Sequence, residues 1–289
     1  MNTNRRNFLR QSLLALPALS LAREHFQAEP TNGMRWAFFS DIHIKSDPNE
    51  TYKGFHIQNN LRKVIEEVMV SGAAGSIITG DLARLEGHRE DYQALANLLS
   101  PLVSKMPVGF VLGNHDRQEN FLKFFTNRPG HQPSLKDKLV TEISTPAADF
   151  LLLDSLLFTN QVPGLLGKMQ RDWLAQCLSE KSEKPLLLFL HHDLEDSDSS
   201  LLDADRLLRI VESLSRVKAM VFGHTHKYGF KQVEGIHLIN LPATAYNFSL
   251  EQPVGWVEAN LRKDGGDFTL HAVAGGTSEH GKVTSLKWR

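Results

Sequence analysis

The stretch Gly113-Asn114-His115-Asp116 follows a short apolar run, PVGFVL, and the same pattern recurs along the chain. At four other places polar residues directly follow the apolar runs WAFFS, SIIT, LLLFL and AMVF. These places are Asp41-Ile-His43, Gly80-Asp81, His191-His192 and Gly223-His224-Thr225-His226. Apolar runs of this length predict buried strands, and α/β proteins place their ligands at the carboxyl ends of strands. The sequence therefore predicts one site at which Asp, Asn and His side chains from five strands meet.

The chemistry of these side chains predicts metal ions. Carboxylate and amide oxygens together with imidazoles suit Mn, Fe or Zn, as divalent or trivalent ions. The candidate ligands are Asp41, His43, Asp81, Asn114, His191, His224 and His226. This set is too large for one four-coordinate ion. Two ions about 3.5–4 Å apart, with one bridging carboxylate, account for it, and that arrangement is used for displacement at phosphorus.

The motifs DxH, GD, GNHD, a His pair and GHxH, in this order, resemble those of the calcineurin-like metallophosphoesterases, roughly over Met34 to Ala274. Within this region, Asp91 to Phe125 looks closest to the class III cyclic-nucleotide and glycerophosphodiester phosphodiesterase branch. The resemblance implies an α/β fold, a four-layer αββα sandwich of two mixed β-sheets packed face to face with helices outside. The order of elements, βα units first and hairpins last, predicts the same two sheets. Irregular segments are predicted over Lys45 to Phe55 and Asn127 to Thr141.

The resemblance also implies a role for each ligand. The first ion would be held by Asp41, His43, Asp81 and His226. The second would be held by Asp81, Asn114, His191 and His224, so that Asp81 bridges the two. Such a pair of ions activates a water as a metal-bridged hydroxide near neutral pH. The resemblance places His115 near the leaving-group oxygen, as a general acid or an electrostatic stabiliser.

Two positions depart from the family pattern. Members of the family usually have the motif HHP, in which the metal ligand stands two residues before the Pro. This position is His191 here, although Asp193 replaces the Pro. Arg84 stands where many relatives have Asp or Asn, and a guanidinium cannot accept a hydrogen bond from a catalytic histidine. Arg84 therefore either binds a phosphate or carboxylate of the substrate or points to solvent. Asp116 becomes the candidate to hold His115.

The N-terminus resembles a twin-arginine export signal, because Arg5 and Arg6 precede the apolar run Ser12 to Ala22. That run is too short to span a bilayer, which needs about 20 residues, but it has the length of the apolar part of a signal peptide. We therefore expect a signal peptide over residues 1–22, a linker over 23–33 and one metallophosphoesterase domain over 34–289. The twin-arginine machinery would export the protein to the periplasm or another extracytoplasmic space. The alternative for this segment is a basic amphipathic helix.

Composition narrows the class of protein further. The chain of 289 residues is long enough for one large domain with a substantial core. The net charge of −1 means that the chain has no overall positive electrostatic potential to attract nucleic acid. The single cysteine, Cys177, excludes an intrachain disulfide and a cysteine-based zinc site. We expect it to be a buried packing residue.

These features predict an exported, dinuclear metal-dependent phosphoesterase that hydrolyses small-molecule phosphodiesters. A phosphomonoesterase or nucleotidase with the same ions is the nearest alternative, because family members with nearly identical ligands perform both reactions. A nuclease is disfavoured, because the sequence has no stretch of interleaved basic and aromatic residues that would form a groove for a nucleic-acid strand. A metal-stabilised binding protein without turnover is the alternative from another class. The presence of His115, a candidate catalytic residue, together with all seven candidate ligands argues against a binding protein that has lost catalysis.

Overall fold

The computed structural model describes residues 33–180 and 182–289, which contain two large β-sheets. The predicted signal peptide and all but the last residue of the predicted linker lie outside these ranges. Within the described part of the chain, no helix has both the length and the apolar character needed to cross a bilayer.

Strands and helices follow the order predicted by the apolar runs. The strands are β1 Met34–Phe39, β2 Thr51–Tyr52, β3 Phe55–His56, β4 Ser76–Thr79, β5 Val108–Val111, β6 Thr141–Ser144, β7 Asp149–Leu152, β8 Leu186–Phe189, β9 Val217–Phe222, β10 Gly229–Val233, β11 Ile236–Asn240, β12 Pro253–Leu261, β13 Gly265–Gly275 and β14 Val283–Lys287. The helices are α1 Ile57–Ser71, α2 Arg89–Lys105, α3 Gln118–Phe124, α4 Gly167–Leu178 and α5 Ala204–Val211.

Each large sheet has six strands and is mixed. The first has the order β14-β13-β12-β1-β4-β5, and the second has the order β10-β11-β9-β8-β7-β6. β1, β4 and β5 run parallel in the first sheet, and β7, β8, β9 and β11 run parallel in the second. The remaining ladders are antiparallel. The carboxyl ends of parallel neighbours lie at one edge of a sheet, so residues that follow these strands can meet.

The layers follow from the alternation of side chains along the strands. Trp36 and Phe38 of β1 belong to the core between the sheets. Each packs edge to face against a ring of the second sheet, with centroid distances of 4.9 Å from Trp36 to Phe150 and 5.0 Å from Phe38 to Phe189. Ala37 and Phe39 belong to the core between the first sheet and helices α1–α3, and α4 and α5 cover the second sheet through a third core. The predicted four-layer αββα sandwich is confirmed.

Strands lie at three places where the sequence did not predict them. The predicted irregular segment Lys45 to Phe55 contains all but the last residue of the hairpin β2–β3, whose strands of two residues are too short for an apolar period. β6 begins at Thr141, the last residue of the other irregular segment. β14 is an edge strand whose side chains are half-buried or exposed, so it has few apolar residues to reveal it.

Candidate metal centre

The predicted ligands follow parallel strands that lie side by side. Asp41, Asp81 and Asn114 come just after β1, β4 and β5 of the first sheet, and His191 and His224 come just after β8 and β9 of the second. Four overlapping groups of Asp and His side chains form there, each with ligand atoms within 4.8 Å of one another. Asn114 joins these groups through an Oδ1 that is 3.2 Å from His191 Nε2. The structure therefore brings all seven predicted ligands into one cluster.

The backbone of this cluster is unusual, because five of the predicted ligands have positive φ angles. They are half of the ten non-glycine residues with positive φ in the described ranges, with values of 42° to 68° at Asp41, His43, Asp81, His224 and His226. Such left-handed residues are uncommon and concentrate at functional sites. Two residues apart in a strand, His224 and His226 would point the same way. The left-handed turn after β9 instead lets them reach different parts of the cluster.

The glycines of two motifs are required by close approach to carboxylates. A Cβ on Gly113 would overlap the backbone nitrogen and Oδ1 of Asp81. A Cβ on Gly223 would overlap the hydroxyl of Ser40 and Oδ2 of Asp41. Only glycine therefore lets the GNHD and GHTH loops pack directly against these two acids.

Asp81 lies at the centre of the cluster, and each of its carboxylate oxygens faces a different histidine. Oδ2 is 3.6 Å from His43 Nε2, and Oδ1 is 3.4 Å from His191 Nε2. Oδ1 also accepts the backbone N–H of His115 over 2.9 Å. Burial alone would raise the pKa of Asp81, but the charge and hydrogen bond of His191, together with the charges of His43 and His115, hold that pKa well below its usual range. An ionised carboxylate thus stands between the two halves of the cluster.

One half of the cluster is formed by Asp41, His43 and His226. The Nε2 atoms of His43 and His226 are 3.1 Å apart, and Asp41 Oδ1 is 3.5 Å from His226 Nε2. His226 Nδ1 is 2.6 Å from the carbonyl oxygen of Tyr246 and must donate to it, because a carbonyl only accepts. A neutral His226 ring then carries a lone pair on Nε2. Ring nitrogens facing each other beside a carboxylate suit a shared cation.

The other half is formed by Asn114, His191 and His224. His191 Nδ1 donates to the carbonyl oxygen of Thr79 over 2.7 Å, which leaves Nε2 directed toward Asn114 and Asp81. His224 Nε2 donates to the carbonyl oxygen of Ser199 over 2.9 Å, which leaves Nδ1 as its ligand atom. Backbone carbonyls therefore select the tautomer of each ring, as they do for metal-binding histidines.

His192 has a different environment, although it lies next to His191 and His224. Its Nε2 donates to the carbonyl oxygen of Val162 over 3.1 Å, and its Nδ1 therefore accepts the hydroxyl of Ser155 over 2.8 Å. Both ring nitrogens have protein partners. The geometry therefore favours His191 over its neighbour as the ligand of the pair.

The protonation of the histidines also fits a metal centre. Burial lowers the pKa values of His43 and His224, so both rings are neutral near pH 7, the state in which imidazole binds a metal. Burial alone would lower the pKa of His191 too, but the carboxylate of Asp81 raises it to about 9, so a cation here would replace a proton. Imidazole, carboxylate and amide donors match Mn, Fe or Zn. The clusters are consistent with a binuclear metal centre of unassigned metal identity.

His115 lies at the side of the cluster, with its side chain 20% exposed, whereas that of the neighbouring Asp81 is 4% exposed. His115 Nδ1 donates to the carbonyl oxygen of Leu85 over 3.0 Å, so the ring presents Nε2 to the site. Nε2 lies 4.0 Å from Asp81 Oδ2. The ring is therefore held at one nitrogen and free at the other, which suits proton transfer.

Asp116 does not hold His115, and that expectation is wrong. The Asp116 carboxylate is fully buried. It accepts the backbone N–H groups of Leu82, Ala83 and Gly113 and the hydroxyl of Tyr92. Asp116 thus ties the loop after β4 to the loop after β5 and fixes the positions of Asp81 and Asn114.

Arg84 does not point to solvent, so that alternative is wrong. Its side chain is 13% exposed, and Nε lies 3.5 Å from Glu50. Its Cζ lies 4.1 Å from the centroid of the Tyr52 ring and 5.8 Å from that of Tyr246, whose ring contacts His43. Arg84 Nη1 is buried and has no hydrogen-bond partner among the described residues. Arg84 therefore packs beside the centre with one donor unused.

A cavity of about 800 Å³ opens beside the cluster. Its lining includes the site residues Asp81 and His115 and also Phe230 of β10. Glu195 also lines the cavity and forms an ion pair with Lys231. A larger cavity of about 1780 Å³ lies elsewhere, and its lining includes none of the predicted site residues.

Comparison with known proteins identifies the family of the chain. The family model for calcineurin-like phosphoesterases matches residues 34–228. A 3′,5′-cyclic adenosine monophosphate phosphodiesterase, CpdA, from Haemophilus influenzae is 29% identical over 78% of this chain and 85% of its own. A glycerophosphodiester phosphodiesterase, GpdQ, from Enterobacter lignolyticus is 25% identical over 74% of this chain and 78% of its own.

Solved structures agree on the fold. A dimetal phosphatase from Danio rerio superimposes with a TM-score of 0.71 and 16% identity, over 89% of this chain and all of that one. A purple acid phosphatase, PPD1, from yellow lupin gives a TM-score of 0.61 and 11% identity, over 90% of this chain and 55% of that one. With its metal-binding clusters, the chain belongs to the calcineurin-like phosphoesterase family and is a metal-dependent phosphoesterase related to the cyclic nucleotide phosphodiesterases.

Proposed function

We propose that the protein is an exported, dinuclear phosphodiesterase that hydrolyses small-molecule phosphodiesters. The observation that carries the proposal is the position of Asp81, whose two oxygens lie 3.6 Å from His43 Nε2 and 3.4 Å from His191 Nε2. A carboxylate shared between two histidine groups suits a bridge between two ions.

In this proposal Asp41, His43, Asp81 and His226 hold one ion, and Asp81, Asn114, His191 and His224 hold the other. Two bound ions supply a water activated at neutral pH and neutralise charge on the phosphoryl oxygens. The carbonyl oxygens of Tyr246, Thr79 and Ser199 keep the histidine rings in the orientation that this requires.

His115 would supply a proton to the leaving oxygen. Its Nδ1 is committed to the carbonyl oxygen of Leu85, so Nε2 is the atom that holds and delivers the proton. The partial exposure of the ring lets it regain a proton from solvent after each turnover. Arg84 is proposed to contact the substrate through its unpartnered Nη1.

Diester hydrolysis is supported by relatives named as cyclic nucleotide and glycerophosphodiester phosphodiesterases. The test compares turnover of bis(p-nitrophenyl) phosphate and p-nitrophenyl phosphate by Mn-loaded protein, followed by cyclic AMP and glycerophosphoethanolamine. Preference for the diesters supports the proposal. Preference for the monoester supports a phosphomonoesterase, and bound metal without turnover supports a binding protein.

Export is proposed from residues 1–22 alone, where Arg5 and Arg6 precede the apolar run. Passage through the twin-arginine machinery would place the enzyme in the periplasm or another extracytoplasmic space. The substrate would then be a phosphodiester found in that compartment.

A further inference from the structure

Phe248 is a large apolar side chain that remains exposed beside the metal-binding cluster. It is 63% exposed, and it lines the cavity next to the cluster. The centroid of its ring lies 4.8 Å from that of His226, one of the proposed ligands. Single exposed apolar residues are common on protein surfaces. An exposed aromatic ring in contact with a proposed metal ligand is a more specific feature.

The Phe248 ring is held in place by its neighbours. It lies edge to face with Tyr246 at a centroid distance of 5.7 Å, and the carbonyl oxygen of Tyr246 anchors His226. Gln252 braces the same loop, because its backbone N–H donates to Ser249 and its side-chain Oε1 accepts the backbone N–H of Tyr228. The exposed ring is therefore positioned before any ligand arrives.

A positive charge lies beside this ring. The ammonium of Lys53, in the turn between β2 and β3, lies 5.3 Å from the centroid of Phe248, within the range of a cation–π contact. A second cation, Lys227, lines the cavity. An anionic substrate with a flat substituent would meet positive charge and an aromatic face on the same side of the metal centre.

The cavity is large enough for such a substituent. Its volume of about 800 Å³ lies within the range of about 300–1,000 Å³ found for small-molecule pockets. It extends from Asp81 and His115 to Phe230 of β10, so a ligand with its phosphate at the cluster has room for a ring beyond it.

We propose that Phe248 is a specificity-determining residue that stacks on a planar ring of the substrate, so that the site selects phosphodiesters carrying a nucleobase or aryl group. This inference rests on the proposed function and names the substrate class of the same site. Glycerophosphodiesters, which have no planar ring, would gain no ring stacking from Phe248. The site would therefore favour a cyclic nucleotide over a glycerophosphodiester.

The test is the kcat/KM of Mn-loaded Phe248→Ala with cyclic AMP and with glycerophosphoethanolamine. Stacking of one base on an aromatic side chain corresponds to a loss of about 5- to 150-fold on truncation. We expect a loss of this size for cyclic AMP, mostly in KM, and a change of less than about 3-fold for glycerophosphoethanolamine. Phe248→Tyr should retain the activity toward cyclic AMP, because it keeps the ring. Leu250→Ala is the matched control, since Leu250 is 77% exposed in the same loop and does not line the cavity.

Equal losses for both substrates would overturn the inference, because Phe248 would then act through His226 on every reaction. An unchanged kcat/KM for cyclic AMP in Phe248→Ala would also overturn it. Binding of AMP and of glycerol 3-phosphate, measured by calorimetry, separates this inference from the proposed function. If the wild-type protein binds metal but hydrolyses no diester, the proposed function fails. Weaker binding of AMP alone by Phe248→Ala would then still support stacking, and equal binding would reject it.

Discussion

Replacement of His115 by Ala should slow hydrolysis to an extent that depends on the leaving group. The ring is held through Nδ1 by the carbonyl oxygen of Leu85 at 3.0 Å, and Nε2 is the atom that can transfer a proton. Nε2 lies 4.0 Å from the central carboxylate of Asp81, so it is close to where a phosphoryl group would bind. His115 is not among the seven proposed ligands, and its loss should leave the metals in place.

The size of the effect follows from the role of the proton. A positioned general acid contributes about 10²–10⁴-fold, so a diester with an alkoxide leaving group should lose about that factor in kcat. A p-nitrophenolate group leaves without protonation, and the same variant should lose about 10-fold or less with bis(p-nitrophenyl) phosphate.

The assay is a series of phosphodiesters with leaving groups of increasing pKa, measured at saturating metal. The wild-type enzyme should show a shallow dependence of rate on leaving-group pKa, and His115→Ala a steep one. His88→Ala is the control, because His88 is an exposed histidine of the neighbouring loop whose side chain is 63% exposed. The acid role would be refuted by parallel dependences in wild type and His115→Ala.

Three further predictions test the ligands, the substrate contact and the export. Asp81→Ala should lose binding of two ions, because one carboxylate serves both; elemental analysis that still finds two tightly held ions would reject the bridge. Arg84→Ala should lower kcat/KM for a diester by about 10- to 150-fold, as expected for a charged hydrogen bond, and Arg84→Lys should recover only part of it. Steady-state kinetics in which both Arg84 variants match the wild type would remove Arg84 from the site. Replacement of Arg5 and Arg6 by Lys should leave the precursor in the cytoplasm, and processed protein outside the cytoplasm in normal amounts would contradict twin-arginine export.

The ligand positions were predictable because their chemistry and their place after apolar runs are both visible in the sequence. Asp81 and His191 each follow a run of buried residues, and the parallel order of β4, β5, β8 and β9 then brings their ends together. The left-handed conformation at Asp81 was not predictable, because Asp and His adopt a positive φ more often than most residue types but still in only a small minority of cases.

Other features of the site depend on contacts that have no sequence pattern. The carbonyl oxygens of Thr79, Ser199 and Tyr246 orient the ring nitrogens, and any residue could supply a carbonyl. Asp116 was recognised in the GNHD motif, but apart from Gly113 its partners, the loop after β4 and Tyr92, lie 24 or more residues away in sequence. Phe248 gave no signal either, because its importance comes from the packing of its loop against His226.

Anomalous diffraction from crystals of the Mn-loaded protein tests the dinuclear centre most directly. Two anomalous peaks about 3.5–4 Å apart are expected, with Asp81 between them, one beside His43 and His226 and the other beside His191 and His224. A single peak, or two peaks without Asp81 between them, would contradict the dinuclear centre.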